Sequence, residues 1–126
     1  MPTGRPRVAI VDDEEFVALG LKDVLEAQGY AVSAIAHTYE DAVALVERRG
    51  ACEIVFVDLG LGGQPLGIEV ARRAVRNGLA VVVMTGGASL PADLAGAALL
   101  LKPFSDESVQ ALLHTLGRRD GPRPAA

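Results

Sequence analysis

The sequence predicts an α/β domain of five parallel strands wound with helices on both faces, in the order (βα)5, with a shortened fourth helix. Three observations predict it. Short apolar runs alternate five times with amphipathic stretches along the 126 residues, the pattern of a parallel sheet with right-handed crossovers. The runs at 54–57 and 79–84 are apolar without a break, as suits strands covered on both faces. Glycine or Asn-Gly closes several of the intervening stretches at the point where a helix would stop.

Each element has its own signal. Residues 7–11 form a short run rich in β-branched side chains that ends in Asp12-Asp13-Glu14. Val17, Leu21, Val24, Leu25 and Gln28 then recur at helical spacing, and Gly29 is a natural stop. Residues 30–36 read as the second strand. Thr38 and Asp41 stand at capping-box spacing before a helix whose inner face is Ala42, Leu45 and Val46, ending at Gly50. The third strand, 54–57, runs straight into Asp58. A glycine-rich loop is expected over 59–67, and a helix over 68–76 that stops at Asn77-Gly78. The fourth strand, 79–84, ends at Thr85. After a loop at 86–90, residues 91–96 leave room for about one or two helical turns. The fifth run, 97–101, ends at Lys102-Pro103. Ser105 can cap a last helix that carries Val109, Leu112, Leu113 and Leu116 inward. The organisation is a tail at 1–6, one domain at 7–117 and a polar, flexible tail at 118–126.

Composition narrows the function classes. The length is that of one domain, and 50% hydrophobic residues are enough to bury a core. The N-terminus lacks the apolar segment of a signal peptide, and no apolar run is long enough to span a membrane. Cys52 is the single cysteine, which excludes an intrachain disulfide and points to the cytoplasm. A net charge of −4 and 4% aromatics argue against direct nucleic-acid binding. No repeat or low-complexity stretch is visible. Cys52, His37 and His114 receive no functional role.

In open parallel sheets, ligands bind at the carboxyl ends of the strands. The residues expected there are Asp12 and Asp13, Asp58, Thr85, and Lys102. Taken singly, each is an ordinary turn, capping or strand-end residue. Together they make a chemically coherent set. Crowded carboxylates repel one another and favour protonation, and a hard divalent cation such as Mg2+ relieves that repulsion. Asp58 could then act as a nucleophile toward phosphorus. Phosphoryl transfer needs positioning and charge neutralisation, which the cation, the Lys102 ammonium and the Thr85 hydroxyl would supply. Gly86 permits close backbone approach to the phosphoryl group.

The segments Val8-Ala9-Ile10-Val11-Asp12-Asp13-Glu14, Ile54-Val55-Phe56-Val57-Asp58, Val81-Val82-Val83-Met84-Thr85-Gly86 and Leu100-Leu101-Lys102-Pro103-Phe104 resemble the receiver domain of bacterial two-component response regulators, over about residues 7–117. The resemblance implies a flavodoxin-like fold, with Asp58 as phosphoacceptor. It implies Asp13 as a direct ligand of Mg2+ (Mn2+ could serve in its place), Asp12 as a ligand through water, and Gly60 as a ligand through its backbone carbonyl. Thr85, Lys102 and the backbone N–H of Gly86 would bind the phosphoryl group. The Lys102-Pro103 bond is cis in many members of the family. The phosphodonor would be a phosphohistidine on a histidine kinase or phosphotransfer protein. Such a domain signals through an unknown downstream protein or relays phosphate; it is not an enzyme beyond promoting its own phosphorylation and dephosphorylation.

Two departures stand out. Receivers usually carry an aromatic switch residue three positions before the lysine, and here that position is Leu99. The stretch from Thr85 to Lys102 is also short. Both features, with Gly62-Gly63-Gln64, resemble the FATGUY receiver subclass. Phosphorylation is then expected to order the 86–96 segment in place of an aromatic switch.

Three alternatives predict different behaviour. A haloacid-dehalogenase-like phosphatase would need a second acid two residues after Asp58, where Gly60 stands. A flavodoxin-like mononucleotide module would not place Asp12-Asp13-Glu14-Glu15 where the phosphate binds. A pseudo-receiver would make protein contacts without accepting phosphate.

Overall fold

The computed structural model describes residues 6–63, 66–87 and 89–120. Residues 1–5 of the expected N-terminal tail, 121–126 of the expected C-terminal tail, and Gln64, Pro65 and Ala88 lie outside the described residues. The elements in chain order are β1 (Arg7–Val11), α1 (Glu15–Ala27), β2 (Ala31–Ala36), α2 (Tyr39–Glu47), β3 (Ile54–Asp58), α3 (Leu66–Arg76), β4 (Ala80–Thr85), β5 (Ala98–Leu101) and α4 (Asp106–Asp120). Short 3-10 turns occur at Leu61–Gly63 and Ala92–Leu94. All pairings are parallel, and the strand order is β2-β1-β3-β4-β5. This is the expected doubly wound (βα)5 sheet, flavodoxin-like in its strand order.

The apolar pattern explains the layers. β3 is buried at every residue, as its unbroken Ile54–Val57 run demands of a central strand. Ala18, Leu21 and Leu25 of α1 and Val109, Leu113 and Leu116 of α4 pack with Ile10, Phe56 and Met84 on one face. Ala42, Leu45 and Val46 of α2 and Val70, Ala71 and Ala74 of α3 pack with Val11, Val57 and Val83 on the other. Thr38 caps α2 by accepting the Asp41 N–H at 3.1 Å. Ser105 and Ser108 cap α4 reciprocally, each hydroxyl accepting the other's N–H. Gly29 closes α1 with a φ of 91°, a conformation that glycine adopts without penalty.

Two helix boundaries differ most from expectation, and the fourth helix is shortened as expected. α4 continues to Asp120, three residues past the boundary set at 117, because the acidic first turn and the leucine face outweigh the polar end of the helix. The fourth helix is reduced to the 3-10 turn Ala92–Leu94. That turn is nonetheless anchored: Leu94 is 1% exposed, and Asp93 accepts from Arg72 of α3 at 2.8 and 3.3 Å. The shortening has a consequence on β5. Leu99 pairs in register with Val83 and Leu101 with Thr85, so both leucines point to the α2–α3 side. With little helix above them they are 45% and 57% exposed.

The second boundary difference concerns α3, which begins at Leu66, not Ile68. Gly67 therefore lies inside the helix and not in the loop. A β-carbon at Gly67 would collide with the Asp58 carbonyl oxygen and stand 2.7 and 2.8 Å from the Cα and carbonyl oxygen of Leu59. All of these are backbone atoms, which cannot rotate away. Gly67→Ala is expected to lower the unfolding free energy by about 3 kcal/mol, the upper end of overpacking costs. Gly86→Ala, where an added carbon meets nothing within 4 Å, should cost far less. Urea midpoints of the two variants check the contrast.

Candidate functional site

The chain leaves β1 toward β2 on one side and β3 on the other. The crevice above the carboxyl ends of β1 and β3 is therefore the switch point where such sheets bind ligands. Backbone bonds carry the ladder past the strand ends and hold the first residue beyond each. The Asp12 N–H donates to Ala36 O at 3.0 Å, Leu59 N–H to Met84 O at 3.0 Å, and Lys102 N–H to Thr85 O at 2.8 Å.

Asp12 is 0% exposed, and Asp58 and Thr85 are also buried. The Lys102 ammonium stands 3.2 Å from Asp12 Oδ2 and 3.4 Å from Asp58 Oδ2, with Glu14 Oε1 at 3.9 Å. Asp12 Oδ1 accepts the Glu14 N–H at 2.9 Å, and Asp58 Oδ1 accepts the Gly60 N–H at 3.0 Å. Asp13 is exposed, and its Oδ2 accepts the Gly62 N–H at 3.1 Å. Thr85 Oγ1 accepts the Gly87 N–H at 3.2 Å, and the Lys102-Pro103 bond is cis. All the side chains expected at the rim thus come together at one sheet edge. Leu99 stands apart from them, on the exposed α2–α3 side of β5.

One carboxylate oxygen from each of Asp12, Asp13 and Asp58 lies within 4.8 Å of the others. Oxygens on one octahedral Mg2+ are separated by about 2.9 to 4.1 Å, given bonds of 2.0–2.1 Å. The donor set therefore fits a hard divalent cation after small side-chain adjustments. Both Asp12 oxygens already hold hydrogen bonds, which suits an outer, water-linked role. The Gly60 N–H, not anticipated from sequence, orients Asp58 from the loop after β3.

Electrostatics bear out the expected crowding. The Asp12 carboxyl is raised above its ordinary 3.8, by burial first and then by the neighbouring Asp58 charge, against the opposing pull of the Glu14 N–H and Lys102. Lys102 is raised as well: burial alone would lower it, but the Asp12 and Asp58 charges prevail. Three residues at the site make contacts that the sequence does not signal. Gly62 ties Asp13 to the β3 loop. Gly67 lets α3 rest on the backbone of Asp58. The His37 ring meets the Asp12 carbonyl at 2.8 Å.

The profile of the response regulator receiver domain family matches residues 8–114. The chain belongs to the response-regulator receiver family. This receiver is 29% identical, over 93% of its length, to the phosphate regulon transcriptional regulatory protein PhoB of Rhizobium meliloti (strain 1021), of which it covers 54%. It thus spans about half the length of that curated relative. A CheY-like receiver domain protein from Methanospirillum hungatei JF-1 superposes with a TM-score of 0.74 at 29% identity, covering 90% of this chain and 95% of that one. The BeF3-activated conformation of SdrG from Pseudomonas melonis Fr1 superposes with a TM-score of 0.72 at 28% identity, covering 87% and 94%. A receiver is a signalling domain, and the haloacid-dehalogenase and mononucleotide alternatives fall away with the family assignment. Among the described residues no helix is long and apolar enough to cross a membrane.

The raised Asp12 value sets a pH dependence. Between the unfolded and folded values of this group the native state binds more protons than the unfolded chain, so its contribution to stability falls as pH rises. At pH 7 without divalent cations, Asp12→Asn should melt above the wild type. The gap should narrow as pH falls through the raised value toward about 4, the ordinary value of the unfolded chain, below which Asp12 is protonated in both states. Thermal melts from pH 4 to 8 in the presence of a chelator check both the sign and the window.

Proposed function

We propose that Asp58 accepts a phosphoryl group from a phosphohistidine of a histidine kinase or phosphotransfer protein, with Mg2+ held by Asp13, Asp58, the Gly60 carbonyl and, through water, Asp12. The observation that carries this reading is the Lys102 ammonium lying between the buried Asp12 and Asp58 carboxylates, beside a three-carboxylate cluster. With one ammonium against three carboxylates the site is short of positive charge, which a divalent cation would supply before a phosphoryl group arrives. An Asp58 carboxylate oxygen attacks phosphorus, the P–N bond breaks, and its electron pair leaves with the imidazole nitrogen. The product is an acyl phosphate on Asp58. Water later attacks phosphorus and returns the free carboxylate and inorganic phosphate.

The chain's own groups do most of the positioning. The Gly60 N–H holds Asp58 in place before attack. Lys102 can pass from Asp58 to a phosphoryl oxygen, where a charge-assisted bond is strongest. The Thr85 hydroxyl and Gly86 N–H would take the remaining oxygens. The bound cation would neutralise charge on the attacking carboxylate and the phosphoryl oxygens.

Leu99 in place of an aromatic residue, and the reduced fourth helix, favour the FATGUY subclass. They also favour a response carried by the segment after Thr85. Because Leu94 is buried and Arg72 clasps Asp93, the part of that segment free to respond is its first half, at 86–90. The output is contact with another protein or onward relay of phosphate, and the single cysteine, Cys52, argues for a cytoplasmic setting.

NMR titration with beryllofluoride and Mg2+ tests the site. Wild type should shift strongly at Thr85, Gly86 and Lys102, and Asp58→Asn should not; no shift in either protein overturns the reading in favour of a pseudo-receiver. Lys102→Ala should slow labelling by a small-molecule phosphodonor about a hundredfold, the usual loss for one oxyanion-type donor, as read by intact mass against time. Amide exchange under beryllofluoride should change at Gly86, Gly87 and Ser89. It should change little at Leu94, Ala95 and Ala97, whose N–H groups are bonded within the turn. Equal change across both halves would refute the division.

A further inference from the structure

His37 comes directly after β2 and contributes no atom to the carboxylate cluster itself. Its ring Nδ1 lies 2.8 Å from the backbone carbonyl of Asp12. A carbonyl can only accept, so Nδ1 carries the proton and donates it. The Asp12 N–H, in turn, donates to Ala36 O at 3.0 Å. Both polar backbone groups of Asp12 are therefore held by two consecutive residues at the end of β2. The ring extends the β1–β2 ladder one bond beyond the strands.

That bond acts on more than Asp12. The Asp12 carbonyl shares a planar peptide with the nitrogen and Cα of Asp13. Holding the carbonyl fixes the plane from which the Asp13 side chain departs, and leaves only rotation about its N–Cα bond to set the direction. From the opposite side, Asp13 Oδ2 is tied to the Gly62 N–H at 3.1 Å. Asp13 is exposed and would otherwise be the least constrained of the three carboxylates. Its meeting with Asp12 and Asp58 within 4.8 Å depends on these two tethers.

We propose that His37 is a positioning residue of the cation site: its ring holds the Asp12–Asp13 peptide so that Asp13 converges with Asp12 and Asp58 on one divalent ion. The inference rests on the reading of the cluster as a Mg2+ site. Groups that orient metal ligands from behind typically change affinity by ~10–100-fold when removed. A side chain reaching a backbone carbonyl rather than a ligand atom should fall toward the lower end of that range.

The test is a Mg2+ titration of the full chain by calorimetry, run on wild type, His37→Leu, His37→Asn and Asp13→Ala, with melting curves recorded without the ion. His37→Leu should weaken Mg2+ binding about tenfold. His37→Asn should restore most of it, because the asparagine amide nitrogen can occupy the position of Nδ1. A purely structural role would lower the melting temperature of His37→Leu and leave its Mg2+ affinity at the wild-type value; that result overturns the proposal. Should His37→Leu fail to fold, His37→Gln, whose nitrogen falls nearer the Nε2 position, replaces it. Wild-type affinity in His37→Gln overturns the proposal equally. Equal Mg2+ affinity in wild type and Asp13→Ala overturns the metal reading itself, and this inference with it.

Discussion

Two carboxylates buried side by side where the sheet reverses its strand order, with one ammonium holding both, are the constraint on which the rest of this domain turns. Asp12 is fully enclosed, and Asp58 presses on it electrostatically. Burying a charge is costly unless it is paired and hydrogen-bonded. The chain meets that requirement with Lys102, with the Glu14 and Gly60 N–H groups, and with no other cation among the ion pairs of its described residues. One positive charge between two negative ones leaves the site short of cation. On the proposed function, that imbalance would draw a divalent ion to the cluster and would leave Lys102 available to a phosphoryl oxygen once the ion had taken up the carboxylates.

The scaffold is rigid where this constraint acts. Asp58 ends a strand buried at every residue, and its carbonyl is packed so closely beneath Gly67 that no β-carbon fits. Asp12 and Lys102 are each fixed by a ladder bond continued past a strand end. Catalytic geometry built on sheet edges in this way costs little reorganisation when charge develops, which is the basis of electrostatic preorganisation. The exposed parts are the side chain of Asp13 and the glycines after Thr85, the places where, on the proposed function, an ion or a phosphoryl group would enter.

Much of this is legible in the sequence, for physical reasons. The unbroken run Ile54–Val57 can only be a doubly covered strand, and a residue directly after such a strand must emerge at its carboxyl edge. Asp12, Asp58, Thr85 and Lys102 could therefore be brought to one rim from sequence alone. What sequence does not carry, helix caps aside, is a contact whose partner is a backbone atom far away in the chain. Gly67 reads as one more glycine in a glycine-rich loop; its need for a missing β-carbon appears only once α3 is seen lying on Asp58. His37 reads as an incidental histidine because its partner is a carbonyl, which every residue possesses. The extension of α4 to Asp120 is hidden by arginines and aspartate, which signal solvent exposure as readily as the end of a helix.

The region after β4 shows how a shortened element can still be partly rigid. A full helix there would cover Leu99 and Leu101; the 3-10 turn covers neither, and the apolar edge of β5 stays open to solvent. Yet the turn is not loose, since Leu94 is buried in the α2–α3 core and the guanidinium of Arg72 clasps Asp93. The exposed ion pair contributes little alone, so the burial of Leu94 is the stronger anchor. The anchored part of the stretch is thus the turn Ala92–Leu94 itself. An aromatic switch works by moving a large ring between buried and exposed positions. With leucine at that position and Gly86-Gly87 directly after Thr85, the proposed response would run instead through the short stretch that leads from the Thr85 hydroxyl to the turn.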